Sequence, residues 1–255
     1  MDRLLPDPNL ADDAPDPVAD YLDDARTAPP GRPWVVMGMV ASVDGATAVN
    51  GRSGGLGGPG DRRVFRALRG VADMILVGAG TVRAEGYRSP RTSDDVVARR
   101  LAAGRAPCPR LVVVSGSLDL DPEAPLFADR PDEDPPPVVA TVASAPPDRR
   151  AALEPVAELV ACGPNRVDLT GLLAVLDDVG ASVVLCEGGP DLNHQLLAAG
   201  LVDEVCLTIS PRLVGGVGGD GRSLLAGASL PMPTRLRLDR VLAEDGFLFC
   251  RYLVS

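Results

Sequence analysis

Two glycine-rich turns, about a hundred residues apart, are the features of this chain most suited to chemistry. The first turn, residues 78–81 (Gly-Ala-Gly-Thr), follows the apolar run 74–77. The second turn, residues 187–190 (Glu-Gly-Gly-Pro), follows the apolar run 183–186. A strand, a turn without side-chain bulk and a helix start together present free backbone N–H groups, and the helix dipole draws anions to them. Two such turns predict a site for an extended phosphate compound such as a dinucleotide.

Two carboxylates accompany these turns. Asp44 follows a strand-like run in Ser42-Val43-Asp44-Gly45, where an acidic side chain can point into the ligand crevice of an α/β sheet. The same residues suit a simple β-turn, which the Asp-Gly pair favours for backbone reasons, and the turn is the preferred interpretation. Glu187 heads the second glycine turn and is predicted to hydrogen-bond a substrate hydroxyl or amide. The alternative role for Glu187 is to complement the dipole of the helix that follows.

The chain contains 25 arginines and no lysine. The lack of lysine excludes Schiff-base chemistry, a Walker A loop and pyridoxal-phosphate attachment. The single histidine, His194, argues against a Ser–His–acid triad and is expected to pack or cap. The chemistry is therefore expected to come from a bound cofactor. Arg69, Arg88 and Arg91 are the arginines expected nearest the crevice, where they can clamp a substrate phosphate.

Composition limits the possible partners and location. The net charge of −10 argues against nucleic acid as a partner, and a hydrophobic content of 45% indicates a globular chain. The five cysteines are widely spaced and lack metal-ligand spacing, so we expect buried thiols in a reducing compartment and no metal site. The absence of a long apolar run and of a signal-peptide pattern predicts a cytoplasmic protein with no membrane contact.

The elements that must position these residues alternate along the chain. Residues 1–32, rich in Asp, Pro and Ala, predict a flexible N-terminal arm, and residues 33–255 predict a single domain. The predicted strands are 34–42, 74–77, 111–114, 138–142, 158–162, 182–186, 204–209, 235–243 and 247–254. One predicted helix has Asp61 as its N-cap and another begins near Pro147. Two more span 169–179 and 190–199, and 119–137 is a predicted loop. This pattern predicts an α/β fold: a mixed, mostly parallel sheet, helices on both faces and a C-terminal antiparallel hairpin.

With these residues in place, the chain resembles the reductase domain of the bifunctional riboflavin-biosynthesis protein, which has the dihydrofolate-reductase fold. The resemblance runs from about Pro33 to the C-terminus and rests on segments 42–45, 76–82, 187–189 and 209–216. It implies NADPH-dependent reduction of 5-amino-6-(5-phosphoribosylamino)uracil to the ribityl product, by hydride transfer to C1′ of the ring-opened imine. It also implies a homodimer. The zinc motifs of the companion deaminase are missing, so we expect a stand-alone reductase.

The resemblance also implies roles for individual residues. Asp44 and Glu187 would be catalytic, orienting or protonating the substrate. The implied cofactor-binding residues are Ala41, Gly78, Gly80, Thr81, Glu85, Ser115, Gly188, Gly189, Pro190 and Asp191. The implied substrate-binding residues are Ser53, Arg69, Arg91 and Glu187. Ser115 and Ser117 are candidates for contact with the adenosine 2′-phosphate.

Some substrate-side residues depart from the family pattern. Members often carry a lysine on the first strand, near the place of Gly38, and the segment after the first glycine turn reads Ala84-Glu85-Gly86-Tyr87 here. These departures leave two further hypotheses open: reduction of dihydrofolate or another pteridine, and a non-catalytic NADPH-binding protein. A dihydrofolate or pteridine reductase would need no arginine clamp for a substrate phosphate. A non-catalytic NADPH-binding protein would tolerate loss of Asp44 and Glu187.

Overall fold

Strands and helices alternate along the chain as its apolar pattern predicts. The computed structural model describes residues 1–5, 21–131, 134–215, 223–227, 229–230 and 232–255. The strands are β1 Asp2–Leu5, β2 Trp34–Ser42, β3 Met74–Gly78, β4 Arg110–Val114, β5 Val138–Thr141, β6 Glu158–Ala161, β7 Val183–Cys186, β8 Glu204–Ser210, β9 Leu236–Glu244 and β10 Phe247–Val254. The helices are α1 Pro59–Val71, α2 Ala79–Glu85, α3 Asp94–Ala102, α4 Pro125–Ala128, α5 Pro147–Leu153, α6 Leu169–Asp178 and α7 Pro190–Ala198.

All of these strands belong to one sheet, in the order β1-β9-β10-β8-β2-β7-β3-β4-β5-β6. The seven strands from β8 to β6 are parallel, whereas β10, β9 and β1 pair antiparallel. From the centre the chain moves outward in opposite directions, through β3 to β6 on one side and through β8 to β10 on the other. The carboxyl ends of β2, β7 and β3 therefore border a switch point, where α/β sheets bind ligands. The predicted mixed sheet with a C-terminal hairpin is confirmed.

The central strands are apolar on both faces, as buried parallel strands must be. Along β2, Val35 and Met37 join one hydrophobic cluster, and Val36, pointing the other way, joins a second. Val64 and Leu68 of α1 pack in that second cluster. Leucines of α6 and α7 pack in the first. The sheet is thus held between helices, which fixes the strand ends that border the switch point.

Two element predictions were wrong in detail. Helix α1 begins at Pro59, with Gly58 at its N-cap, and not at Asp61. Proline suits this first helical position because its φ is already helical and its missing N–H would have no partner there. The segment 119–137, predicted to be a loop, contains the short helix α4, in which Leu126 and Phe127 are buried.

Parts of the N-terminal arm are docked on the sheet. Strand β1 pairs with β9, and Tyr21 is 1% exposed, with the Arg240 guanidinium 4.7 Å above its ring. Arg26 donates two hydrogen bonds to the buried Glu204 carboxylate. This docking differs from the flexibility expected for residues 1–32, because a buried carboxylate needs a counter-ion. Residues 6–20 of the arm lie outside the described residues, and the single-domain assignment of residues 33–255 stays a prediction.

Three further expectations concerned the cysteine thiols, membrane contact and metal binding. All five cysteines are described and carry free thiols, and four of them are buried. Among the helices described here, none combines the length and the apolar character needed to cross a membrane. Within the same residues, no group of three His, Cys, Asp or Glu side chains is placed to hold a metal ion.

Candidate active site

The two glycine turns, so far apart in sequence, meet in the fold. The Gly78 N–H donates a hydrogen bond of 2.8 Å to the Gly188 carbonyl. Gly188 has a φ of 90°, in the region that favours glycine, and its peptide bond to Gly189 is cis. A Cβ on Gly189 would lie 2.6 Å from Thr81 Oγ1, so no side chain fits there. The structure therefore joins the two predicted turns into one site.

The backbone of this site is accessible to a ligand. Helix α7 begins at Pro190, and no side chain caps its N-terminus. The carboxylate of Asp191 accepts a 2.6 Å hydrogen bond from Gln195 one turn further along. At Gly80, no atom lies within 4 Å of where a Cβ would stand. The helix N-terminus and the bare glycine backbone together suit a phosphate group.

A cleft extends from the glycine turns toward α1 and β8. The predicted site residues that line it are Ser53, Thr81, Glu85, Glu187, Gly188, Gly189 and Pro190. Other lining residues, not assigned to the site by the sequence, are Met39, Asp61, Phe65, Tyr87, Asn193 and Thr208. The cleft thus combines predicted cofactor-side and substrate-side residues.

Glu187 is held at the cleft by two side chains. Arg69 donates to both of its oxygens, at 2.7 and 2.8 Å, and the Tyr87 hydroxyl donates at 2.7 Å. The Glu187 side chain is 1% exposed. Burial opposes the charged form of Arg69, but its hydrogen bonds to Glu187 outweigh this and raise the pKa of Arg69. The structure makes Arg69 the counter-ion of Glu187, and direct contact of Arg69 with a substrate phosphate stays a prediction.

Tyr87 remains a hydrogen-bond donor to this pair. Burial, and then the adjacent Glu187 charge, raise the pKa of Tyr87 well above its usual value. The residue therefore keeps its hydroxyl proton, which points at the carboxylate. Together Arg69 and Tyr87 fix the orientation of Glu187, as a group that must meet a substrate in one geometry requires.

Asp44 has a different environment. Its carboxylate accepts hydrogen bonds from the Ser42 hydroxyl and from the backbone N–H groups of Val214 and Gly215. The bonds from Ser42 and Gly215 lower the pKa of Asp44. Gly45 completes the turn with a φ of 85°. The β-turn interpretation is confirmed, and Asp44 ties the loop after β2 to the segment after β8 without lining the cleft. This position does not support the expected action of Asp44 on the substrate, because its carboxylate does not line the cleft.

Glu85 and Ser53, both predicted site residues, are in contact in the cleft lining. Glu85, at the end of α2, accepts a 2.7 Å hydrogen bond from the Ser53 backbone N–H. The resemblance assigns Glu85 to the cofactor and Ser53 to the substrate. Their contact joins a residue expected at the cofactor to one expected at the substrate, and both roles stay predictions.

Seven other predicted residues lie outside the cleft lining: Ala41, Arg69, Gly78, Gly80, Arg91, Ser115 and Asp191. Ala41 is buried within β2. Ser115 follows β4, and its buried hydroxyl has no hydrogen-bond partner within the described part of the chain. Arg91 forms a 2.9 Å ion pair with Asp134, and its side chain is half exposed. The expectation that Arg91 clamps the substrate phosphate is therefore not supported by its position.

Polar residues at inward-facing positions are the signal that the sequence interpretation missed. Asn193 lies between the core leucines of α7, is 1% exposed, and donates a 3.0 Å hydrogen bond to the Leu224 carbonyl. Thr208 lies on the buried face of β8 together with Glu204 and Ser210, at positions that alternate with half-buried apolar residues. Buried polar side chains require partners, so such positions mark either a network or a ligand.

Comparison with known proteins identifies the family of this chain. Residues 33–245 match the family of the RibD C-terminal domain. A 2,5-diamino-6-ribosylamino-4(3H)-pyrimidinone 5′-phosphate reductase of Methanothermobacter thermautotrophicus is 35% identical over 209 residues, 82% of this chain and 91% of the relative. The riboflavin biosynthesis protein RibD of Mycobacterium tuberculosis is 31% identical over 206 residues, 78% of this chain and 48% of that protein.

A solved structure is also similar to this chain. A pyrimidine reductase-like protein from Corynebacterium diphtheriae superposes with a TM-score of 0.80 at 29% identity, covering 88% of this chain and 92% of that one. The fold is the dihydrofolate-reductase-like fold that the resemblance implied. This chain therefore belongs to the RibD C-terminal domain family.

Proposed function

We propose that this protein reduces the ribosyl group of a 5-phosphoribosylamino pyrimidine in riboflavin biosynthesis, with NADPH as the hydride donor. The observation that carries the proposal is the meeting of the two glycine turns beside Glu187 in one cleft. A phosphate-binding backbone and a fixed carboxylate are the two parts that a nicotinamide-dependent reductase of a polar substrate needs. The family of the chain supports the same assignment.

The fit to a dinucleotide rests on the glycine backbone. At Gly80 no atom lies within 4 Å of where a Cβ would stand, so a pyrophosphate can approach the backbone closely there, whereas the space beside Gly189 is filled by Thr81. In this proposal Gly80, Gly188, Gly189 and the N-terminus of α7 hold the pyrophosphate. When bound, the nicotinamide supplies a hydride. Thr81 and Glu85 border the same part of the cleft.

The protein's contribution is to position the substrate. Glu187 accepts three hydrogen bonds from Arg69 and Tyr87, whereas an ionised carboxylate offers about four acceptor sites. One acceptor site is left for a substrate hydroxyl or amino group at the cleft. Because Arg69 and Tyr87 fix the carboxylate, this interaction orients the ribosyl carbon toward the hydride donor.

The proposed substrate is the diaminopyrimidinone and not the uracil expected from the resemblance. The Methanothermobacter relative, 91% of which aligns with this chain, is named for 2,5-diamino-6-ribosylamino-4(3H)-pyrimidinone 5′-phosphate. The two compounds differ at one ring position, which carries an amino group in the first and an oxygen in the second. The homodimer and the cytoplasmic location expected from the sequence stay predictions.

The test is cofactor oxidation by the purified protein. NADPH and NADH are each offered with the diaminopyrimidinone phosphate, with 5-amino-6-(5-phosphoribosylamino)uracil and with dihydrofolate. The proposal expects NADPH oxidation with the diaminopyrimidinone and a lower kcat/KM with the uracil. Turnover of dihydrofolate alone would identify a pteridine reductase. NADPH binding without any turnover would identify a non-catalytic binding protein.

The Gly189→Ala variant tests the cofactor site separately. Its methyl group would meet Thr81 Oγ1 at 2.6 Å, so the turn must shift and we expect the Kd for NADPH to rise at least tenfold. The measurement is a fluorescence titration with NADPH, accompanied by thermal unfolding to confirm that the variant is folded. An unchanged Kd in a folded variant would contradict the assignment of this turn to the pyrophosphate.

A further inference from the structure

Asp61 is a carboxyl group of the cleft that is hydrogen-bonded by a hydroxyl and not by an arginine. Three carboxylates line the described part of the cleft: Asp61, Glu85 and Glu187. Glu85 accepts the Ser53 N–H, and Glu187 accepts Arg69 and Tyr87. Asp61 has a hydrogen bond with the Thr208 hydroxyl and no arginine across from it like that of Glu187.

The structure holds Asp61 in place from two elements. Asp61 lies in the first turn of α1, whose start is set by Pro59. Thr208 of β8, which also lines the cleft, forms a side-chain hydrogen bond with Asp61. Gly57 makes space for the carboxyl group, because a Cβ there would lie 2.5 Å from Asp61 Oδ2. A fixed carboxyl group in a cleft, next to a bare glycine, suits a group that acts on a ligand.

We propose that Asp61 is a catalytic acid that protonates the ribosyl ring oxygen of the substrate, an inference that rests on the proposed function. The bond between C1′ and the ring oxygen breaks, its electron pair goes to that oxygen, and the oxygen takes the Asp61 proton to become a hydroxyl. The substrate is left as an open-chain iminium ion. The hydride from the reduced nicotinamide then adds to C1′, which gives the ribitylamino product, and solvent returns a proton to Asp61.

The surroundings of Asp61 favour a proton at this position. Burial raises its pKa, and the Thr208 hydrogen bond and the Arg62 charge on the same helix only partly oppose this. On β9, Glu244 approaches the neighbouring Gly60, and its charge is paired with Arg63 at 2.9 Å. Asp44 contrasts with Asp61, since its hydrogen bonds lower its pKa. Glu187, in turn, is charge-paired with Arg69.

The experiment compares four proteins: the wild type, Asp61→Asn, Asp61→Glu and Asp95→Asn. Asp95 is a matched control because it lies in the first turn of α3, is exposed and does not line the cleft. Steady-state kinetics with the diaminopyrimidinone phosphate are measured across a pH series, and the Kd for NADPH is measured by fluorescence. Thermal unfolding establishes that each variant is folded.

We expect kcat of Asp61→Asn to fall at least about 100-fold, the usual worth of a positioned general acid, with the Kd for NADPH unchanged. The wild-type kcat should decline as pH rises through the pKa of Asp61, and this limb should be absent in Asp61→Asn. Asp61→Glu should regain part of kcat, and Asp95→Asn should match the wild type. A folded Asp61→Asn with wild-type kcat and pH profile would overturn the inference. A wild type that turns over no pyrimidine would instead refute the proposed function.

Discussion

Glu187 and Glu204 are both buried carboxylates bound by arginine, but they stand at opposite ends of the parallel strands. Glu187 follows the carboxyl end of β7, and Glu204 begins β8. Arg26 and Arg251 each donate two hydrogen bonds to Glu204, and the Trp34 indole adds a fifth. Glu187 has one arginine and one tyrosine. Hydrogen-bond donors therefore surround the Glu204 carboxylate, whereas the Glu187 carboxylate has fewer donors and borders the cleft.

Of these two carboxylates, Glu187 can bind a ligand and Glu204 cannot. Glu204 is 0% exposed, and its donors exceed the acceptor sites that a carboxylate offers. It therefore joins the N-terminal arm to β10 and has no capacity left for a substrate. Glu187 retains such capacity and lines the cleft. The count of donors around a buried carboxylate, more than its burial, separates a structural role from a binding role.

The largest expected effect comes from removing the Glu204 charge. Glu204→Gln removes the fully buried partner of Arg26 and Arg251 and leaves them only Asp24 and Asp239 as counter-ions, so the free energy of unfolding should fall by about 3 kcal/mol. Glu158→Gln is the control, because its ion pair with Arg110 is exposed and should cost less than about 1 kcal/mol. The measurement is urea unfolding. A loss of under 1 kcal/mol in Glu204→Gln would contradict the structural role of Glu204.

Acid should weaken the same network. Burial works against the Glu204 charge, but the hydrogen bonds and charges of Arg251 and Arg26 outweigh it and lower the pKa of Glu204 from 4.5 to about 2. Because the folded-state pKa is the lower one, the stabilisation is complete above pH 4.5 and is lost as the pH falls through about 2. It amounts to about 3 kcal/mol. Urea unfolding from pH 6 downward should show this loss, and Glu204→Gln should show a correspondingly shallower decline.

Glu187→Gln should affect activity more than stability. A substrate hydrogen bond to a charged acceptor is worth about 1.5–3 kcal/mol, so kcat/KM should fall about 10- to 100-fold. The exposed Glu154→Gln serves as a control that should leave kcat/KM unchanged. If Glu187→Gln were as destabilising as Glu204→Gln and kept full activity per folded molecule, the distinction between the two carboxylates would fail.

Tyr87→Phe should give the smallest effect. It removes one of the three hydrogen bonds to Glu187 and leaves the Arg69 pair intact. The free energy of unfolding should fall by about 1.5 kcal/mol and kcat/KM by less than tenfold. Tyr252→Phe, in the half-exposed part of β10, is the matched control. A loss of activity equal to that of Glu187→Gln would show that Tyr87 contacts the substrate itself.

The sequence predicted the elements better than the contacts between charges. The strand at 34–42 and the hairpin strand at 247–254 have the predicted bounds, because a run of apolar residues between polar ones is a local property. Arg69 was expected at a substrate phosphate, yet it pairs with Glu187, 118 residues away. Arg91 was expected at the same phosphate and lies at the surface with Asp134. The direction of a long charged side chain depends on the counter-ion that the fold brings near it, which local pattern does not reveal.

The residues missed by sequence interpretation have a common cause. Asp61 was interpreted as a helix cap, a role that its place near the start of α1 suits. Only the packing of α1 against β8 brings its carboxyl group into the cleft with Thr208. Similarly, Tyr21 and Arg26 belong to a segment of low apolar content, and their docking depends on the buried Glu204.

From the sequence alone follow the mixed α/β fold, the two glycine turns and the absence of lysine, and with these the expectation that a bound cofactor supplies the chemistry. Each is a property of residue type and short-range spacing, which chain folding does not alter. The tertiary structure decided that the two turns touch, that Arg69 neutralises Glu187, and that Asp61 rather than Asp44 faces the cleft. These depend on strand order, since the insertion of β7 between β2 and β3 is what brings the distant segments together.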